Sequence, residues 1–202
     1  MNNNKPLYEV RGIKNLKDLI IQSEKLYGSK DAFHIKTESD TYEAISYSKF
    51  KTDIDALGTA LIDLGLKDEF IAVIGENRYE WCVTYLAAAN GTGVIVPLDK
   101  ELPPSEIENL LLRSAASAIV FSGKYRKQIE RFSSSVSSLK YLIDMDAEED
   151  TQNILSFKNL LKRGNELLES GDKRFVDTEI DNEELGILLY TSGTTDLAKG
   201  VM

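Results

Sequence analysis

The chain has 202 residues, 42% of them hydrophobic, with 24 Lys and Arg against 33 Asp and Glu for a formal net charge of −9. That length and apolar share suffice for a buried core and exclude a disordered chain, and an acidic balance without a basic arm argues against a nucleic-acid backbone or an anionic membrane surface as partner. One cysteine, Cys82, and one histidine, His34, exclude an intramolecular disulfide, a Cys/His zinc cluster and a two-histidine metal site. Chemistry must come from carboxylates, hydroxyls, amines and the backbone.

No run approaches the roughly 20 apolar residues of a membrane-spanning helix, and the segment Met1 to Pro6 lacks the apolar stretch of a signal peptide, so the expected compartment is the cytoplasm. Leu16, Leu19, Ile20 and Leu26 share one side of a helical pattern that stops near Gly28, where a left-handed exit is expected. Ala32 to Ile35 and Tyr42 to Tyr47 flank the polar turn Thr37 to Asp40 and read as a β-hairpin. Phe50, Ile54, Leu57, Leu61 and Leu64 recur every three or four residues, which predicts a second helix ended by Gly65.

From Phe70 the pattern changes. Phe70 to Ile74, Gly93 to Pro97, Ala118 to Phe121 and Tyr141 to Ile143 are short apolar runs, alternating with helix-like segments around Trp81 to Ala89, Ser105 onward and Lys124 to Phe132. Such alternation predicts βαβ units and a mostly parallel sheet with helices on both faces, an α/β fold with the hairpin at its N-terminal side. Ser105 and Glu108 have the spacing of a capping box at the start of one of these helices. Ser133 to Ser138 and the acidic stretch Asp144 to Asp150 read as connecting surface; the acidic stretch lacks the spaced ligands and central Gly of a calcium loop. Phe157, Leu160, Leu161, Leu167 and Leu168 mark a late helix, and Leu185 to Tyr190 reads as a buried strand.

That last strand opens into Thr191-Ser192-Gly193-Thr194-Thr195-Asp196-Leu197-Ala198-Lys199-Gly200. Small residues let backbone N–H groups wrap an anion, hydroxyls add hydrogen bonds and Lys199 adds a point charge, a set suited to polyphosphate. It is not a Walker loop, because Lys199 precedes Gly200 and Val201 where that loop needs Gly-Lys-Ser/Thr before a helix. Taken alone, a hydroxyl-rich glycine loop is more often an ordinary connection.

Residue order changes that weight. Tyr190 to Val201, with Ala198-Lys199-Gly200 closing it, closely resembles the phosphate-binding signature of the acyl-adenylate-forming (AMP-binding) superfamily of acyl-CoA synthetases, peptide-synthetase adenylation domains and firefly luciferase. Upstream, Ile45 to Phe50, Glu76 to Trp81 and Gly93 to Leu98 resemble successive family landmarks in the same order. Within the superfamily the Glu76 to Trp81 and Val96 to Glu101 segments look most like bacterial long-chain fatty-acid–CoA ligases.

The resemblance implies a carboxylate joined to the α-phosphate of ATP with loss of pyrophosphate, then acyl transfer to coenzyme A. It implies ATP, Mg2+ and coenzyme A, with a fatty acid, as the molecules handled. Thr191, Ser192, Gly193, Thr194, Thr195 and Lys199 match the phosphate-gripping positions, and Thr191 is the candidate magnesium ligand. Residues 1–202 then correspond to a partial N-terminal domain ending just after the phosphate loop, with no catalytic residue of its own and no turnover expected. The rival expectation is a non-catalytic nucleotide-binding or assembly module. Acyl chain length and oligomeric state are not legible. Among other conspicuous residues, His34 reads as a surface or half-buried packing residue, Cys82 as a buried thiol, Trp81 as core, Arg78 as a helix-start surface residue, and Asp99, Lys100 and Glu101 as a solvated face.

Asp196 departs from the family pattern, which has Gly or Ser there, and Ala198 replaces the common Pro. The rival expectation is that Asp196 turns toward solvent or helps hold magnesium, where its charge is harmless or useful. If instead the loop folds as in the family, with the carboxylate near the triphosphate, each like-charge pair at about 6 Å costs on the order of 3 kcal/mol at an effective dielectric of about 20. Asp196→Gly in the intact parent is therefore expected to lower the apparent KM for ATP or raise kcat. An ATP titration at saturating acid and magnesium checks this, and unchanged or worsened ATP kinetics would reject the repulsion.

Overall fold

The computed structural model describes residues 10–37, 39–191 and 199–201. Five short apolar runs form one all-parallel sheet: β3 (Phe70–Ile74), β4 (Val94–Pro97), β5 (Ala118–Phe121), β6 (Tyr141–Asp144) and β7 (Ile154–Ser156), in the spatial order β4-β3-β5-β6-β7. Ahead of it, β1 (Asp31–Lys36) and β2 (Tyr42–Ser46) pair antiparallel as the expected hairpin, with a register shift between Asp31 and Phe33. Among the described residues six α-helices surround these strands: α1 (Leu16–Tyr27), α2 (Tyr47–Asp63), α3 (Tyr79–Ala87), α4 (Pro104–Ser114), α5 (Arg126–Phe132) and α6 (Phe157–Glu169). None of the described helices is long and apolar enough to cross a membrane.

Successive strand residues point to opposite faces, so each strand feeds two cores. Ile71, Val73, Ile95, Ala118, Val120 and Ile143 join one core with Ile54, Leu57 and Leu61 of α2, Val83 of α3 and Leu160 of α6. Ala72, Ile74, Val96, Ile119, Phe121 and Leu142 join the other with Ile107, Leu110 and Leu111 of α4 and Ile129 of α5. From β3 to β4 the chain moves one way across the sheet, and from β4 to β5 it crosses back over β3. Parallel crossovers keep one hand, so this reversal throws α3 and α4 onto opposite faces.

Local chemistry sets the helix ends. The Ser46 hydroxyl accepts from the Lys49 N–H at 3.1 Å to start α2, and Gly65, at φ +80°, supplies the left-handed turn behind it. Gly28 behaves differently from the expectation. It keeps right-handed angles, and its lack of a side chain serves close approach, because a Cβ there would stand 2.7 Å from Ser48 Oγ and 2.9 Å from the Glu24 carbonyl. The expected capping box is absent as well. Pro103 caps α4, Pro104 opens it, Ser105 lies inside the first turn, and Glu108 instead accepts from the Ser135 hydroxyl. A prolyl first turn loses no hydrogen bond, since its N–H would be unpaired anyway.

Three further expectations change. Asp144 is no surface residue: it ends β6 fully buried, and Met145 and Ala147 beside it are buried too. Trp81 is half-buried, stacked on Tyr85 at 5.3 Å between ring centroids. The Leu185 to Tyr190 segment is a half-exposed sheet edge, with Leu189 45% exposed. Its apolar composition matched a buried strand, but nothing among the described residues covers its outer side.

Helices α2 and α6 pack closely because Gly164 faces α2, where a Cβ would fall 1.8 Å from the Ala56 carbonyl oxygen. Gly164→Ala is expected to destabilise the fold by roughly 1 to 3 kcal/mol through overpacking against backbone that cannot yield. Urea denaturation of the chain checks this; an unchanged midpoint would show that the helices separate freely.

Candidate functional site

At the β4 edge of the sheet the chain adds one more parallel line. The Ile95 N–H donates to the Gly186 carbonyl at 3.0 Å and the Leu188 N–H donates to the Ile95 carbonyl at 2.9 Å, pairing Ile187 with Ile95. Because this line runs parallel to β4, it carries the following residues to the carboxyl end of the sheet, where open α/β sheets bind ligands. Ile187 packs toward the first core, whereas Leu188 and Tyr190 pack toward the second, as the pleat requires.

Beyond it, β8 (Leu189–Thr191) and β9 (Lys199–Val201) form a two-stranded antiparallel stem in which Leu189 faces Val201, Tyr190 faces Gly200 and Thr191 faces Lys199. Directly opposed residues share one face of a sheet, so the Thr191 hydroxyl and the Lys199 side chain emerge together although eight positions separate them in sequence. Both residues are exposed. The Thr191 hydroxyl lies 3.5 Å from the Lys199 carbonyl, too long to hold it firmly and leaving it free to turn toward a ligand. Ser192, Gly193, Thr194 and Thr195, together with Asp196, lie outside the described residues.

The donor set suits a phosphate. A hydroxyl can donate to a phosphate oxygen and an ammonium can neutralise it. No group of three or more His, Cys, Asp or Glu among the described residues could hold a metal ion by itself. A hard oxygen donor such as Thr191 fits magnesium, which keeps several waters and is commonly bound through substrate phosphates with one or two protein oxygens.

A second charged group lines the same edge of the sheet, at the ends of β3, β5 and β6. Arg126 donates from Nε to buried Asp144 at 2.7 Å and from Nη2 at 2.6 Å. Arg78 bridges Glu80 and Asp146 at 2.6 Å each, and Asp146 also accepts from the Gly123 N–H at 2.6 Å. Lys124 pairs with Glu76. Sequence reading missed this network, including the half-buried Arg78, because its partners come from strands far apart in the chain. The only local signal was a carboxylate, Asp144, directly after an apolar strand.

Other singled-out residues stay outside the site. His34 is exposed beside Asp31 at 2.9 Å. Cys82 is half-buried rather than buried, and burial, with help from Glu80, pushes its thiol pKa up, away from a nucleophile's. Asp99, Lys100 and Glu101 are exposed, as expected for a solvated face.

Residues 22–202 match the family AMP-binding enzyme, and the chain belongs to that family. It is 30% identical over 193 residues to an uncharacterised acyl-CoA ligase, YtcI, of Bacillus subtilis, covering 92% of this chain and 33% of that protein. It is 27% identical over 218 residues to long-chain-fatty-acid–CoA ligase 5 of Rattus norvegicus, covering 100% of this chain and 31% of the relative. The fold matches a long-chain-fatty-acid–CoA ligase from Archaeoglobus fulgidus with a TM-score of 0.76 at 19% identity, over 96% of this chain and 37% of the other. The chain thus spans about a third of the length of these relatives.

The rim network makes a pH prediction. Burial, the largest single influence, would raise the Glu76 pKa, but hydrogen bonds led by the one from Lys124, together with the attraction of its charge, outweigh it in sum and hold the carboxyl at about 2, against an ordinary 4.5. A depressed folded-state pKa contributes stability that is complete above about pH 4.5 and lost as pH falls toward 2. Glu76→Gln should therefore be less stable than the native chain above pH 5, with the difference closing as pH falls through that window. Urea midpoints from pH 2 to 6 check it; a constant difference would assign the effect to something other than the Glu76 charge.

Proposed function

We propose that this chain is the N-terminal part of an ATP-dependent, AMP-forming acid–thiol ligase that activates a long-chain fatty acid and passes it to coenzyme A. Membership of the AMP-binding enzyme family and the names of the relatives support the reaction class. One observation carries the local assignment: Thr191 and Lys199 stand opposite one another at the carboxyl edge of a parallel sheet. On this reading Ser192, Gly193, Thr194 and Thr195 complete the grip on the triphosphate. A cytoplasmic location belongs to the same proposal and rests on composition.

The chemistry is charge management. A carboxylate oxygen attacks the α-phosphorus of ATP, the bond to the β-phosphate bridging oxygen breaks, and pyrophosphate leaves. The coenzyme A thiol then loses its proton as sulfur attacks the acyl carbon, and AMP leaves. An anion attacking an anion needs positive charge and N–H or O–H donors already in place. Magnesium, when bound, would supply further charge neutralisation at the phosphates, and Thr191 is the residue that would offer it a protein oxygen. Lys199 holds the β- and γ-phosphates, and Thr191 orients them by a hydrogen bond. Asp196 favours the second reading, a nucleotide-binding or assembly module without catalysis, in so far as its charge would work against productive ATP use.

Acid-dependent ATP–pyrophosphate exchange by the intact parent tests the proposal. Exchange with long-chain acids is expected, and Lys199→Ala should raise the KM for ATP about tenfold or more, the loss of one charged contact. No exchange with short, medium or long acids would overturn the ligase reading, and ATP binding that persists without it would favour the module.

A further inference from the structure

The stem that presents Thr191 and Lys199 is attached to the sheet through Gly186 and Leu188, which pair with Ile95. Past Leu188, β8 and β9 form a separate two-stranded sheet. A two-stranded ribbon is at best marginally stable unless something packs on it. What packs here is Tyr190. Its half-buried ring rests against the second core, and the guanidinium carbon of Arg113, in the last turn of α4, lies 5.5 Å from the ring centroid.

Opposite Tyr190 stands Gly200, where a Cβ would meet Leu188 Cδ1 at 3.2 Å and the Tyr190 ring at 3.5 Å. The ring therefore covers its cross-strand glycine, an arrangement that ties the two strands of a ribbon together. Tyr190 precedes Thr191 and Gly200 follows Lys199, so one ring governs the backbone next to both ligand-facing residues. Helix α4 is a firm base for this contact, because Ile107, Leu110 and Leu111 are each no more than 1% exposed.

We propose that Arg113 is a positioning residue for ATP: by holding the Tyr190 ring against the end of α4 it fixes the stem, and with it the separation of the Thr191 hydroxyl from the Lys199 ammonium. The proposal rests on the ligase reading above. On this proposal the Tyr190 contact is the route by which Arg113 acts, so its loss loosens ATP binding without changing the handling of the acid.

Four variants of the intact parent test it. Arg113→Met keeps side-chain length and removes the cation, Arg113→Lys keeps the cation, Tyr190→Phe keeps the ring, and Tyr190→Leu keeps apolar bulk without a π face. Arg113→Met is expected to raise the KM for ATP about threefold, the size of an exposed cation–π contact, while kcat and the KM for acid stay unchanged. Backbone amides of 188–191 and 199–201 should exchange hydrogen faster by a similar factor, with no shift in the thermal midpoint of the whole protein. Arg113→Lys should recover most of the loss, Tyr190→Phe should be neutral, and Arg113→Met should add nothing to Tyr190→Leu.

An unchanged KM for ATP with unchanged stem exchange overturns the proposal. So does an Arg113→Met effect that persists in full beside Tyr190→Leu, since Arg113 would then act elsewhere. If the native parent shows no acid-dependent exchange, the ligase reading falls by itself. The clamp is then judged by hydrogen exchange alone: faster exchange in Arg113→Met upholds it and unchanged protection overturns it.

Discussion

A parallel strand cannot reach its neighbour by a tight turn, so each crossover has to lay other structure across a face of the sheet and both faces become interior. The rest of this molecule depends on that constraint. It explains why β3 to β6 are nearly continuous apolar runs, why their residues divide alternately between two cores, and why α2, α3 and α6 lie on one side with α4 and α5 on the other. It also collects the carboxyl ends of the five parallel strands along a single edge. Whatever the chain presents for chemistry, including Thr191 and Lys199, arrives at that edge because the preceding line runs parallel to β4.

Charge is handled in two ways. Asp144 and Asp53 are carboxylates with almost no exposed surface, and each is matched: Asp144 by the guanidinium of Arg126, Asp53 by Lys49 and by the Tyr79 hydroxyl at 2.8 Å. The cations are themselves partly exposed, so only the carboxylate of each pair is cut off from water and depends on its partner. Exposed pairs such as Lys158 with Glu148 sit in solvent, where water screens them and they contribute little. The network at the carboxyl edge is thus held from beneath by Asp144, and its own charges are satisfied internally. Thr191 and Lys199 stand apart from it, on a stem whose side chains are exposed and accessible to a ligand.

The stem differs from the body of the fold in what holds it. Inside, Gly164 allows two helices to approach until backbone meets backbone, a contact that tolerates no added methyl group. At the edge, order depends on two hydrogen bonds to Ile95 and on a tyrosine ring resting between a glycine and an arginine. A weakly attached element beside a rigid sheet can adjust when a ligand arrives, which is why binding elements are often drawn from the less stable parts of a fold.

Much of this was legible in the amino-acid sequence. The spacing of Phe50, Ile54, Leu57, Leu61 and Leu64 sufficed for α2, the runs at Phe70, Val94, Ala118 and Tyr141 for four of the five parallel strands, and the residue order from Tyr190 to Val201 for the family. Periodicity and residue order are local properties, and a linear chain carries them whole. Only the tertiary structure decided that Gly28 serves close approach instead of a left-handed turn, that Pro103 and not Ser105 begins α4, and that Asp144 is interior. It also decided that the three residues of β7 form a strand, that Leu185 to Tyr190 lie at an edge, and that Thr191 meets Lys199. Apart from the α4 start, which the local Pro103-Pro104 pair sets, the deciding partner lies elsewhere in the chain, and burial, close approach and ion pairing are properties of two segments that neither one encodes alone.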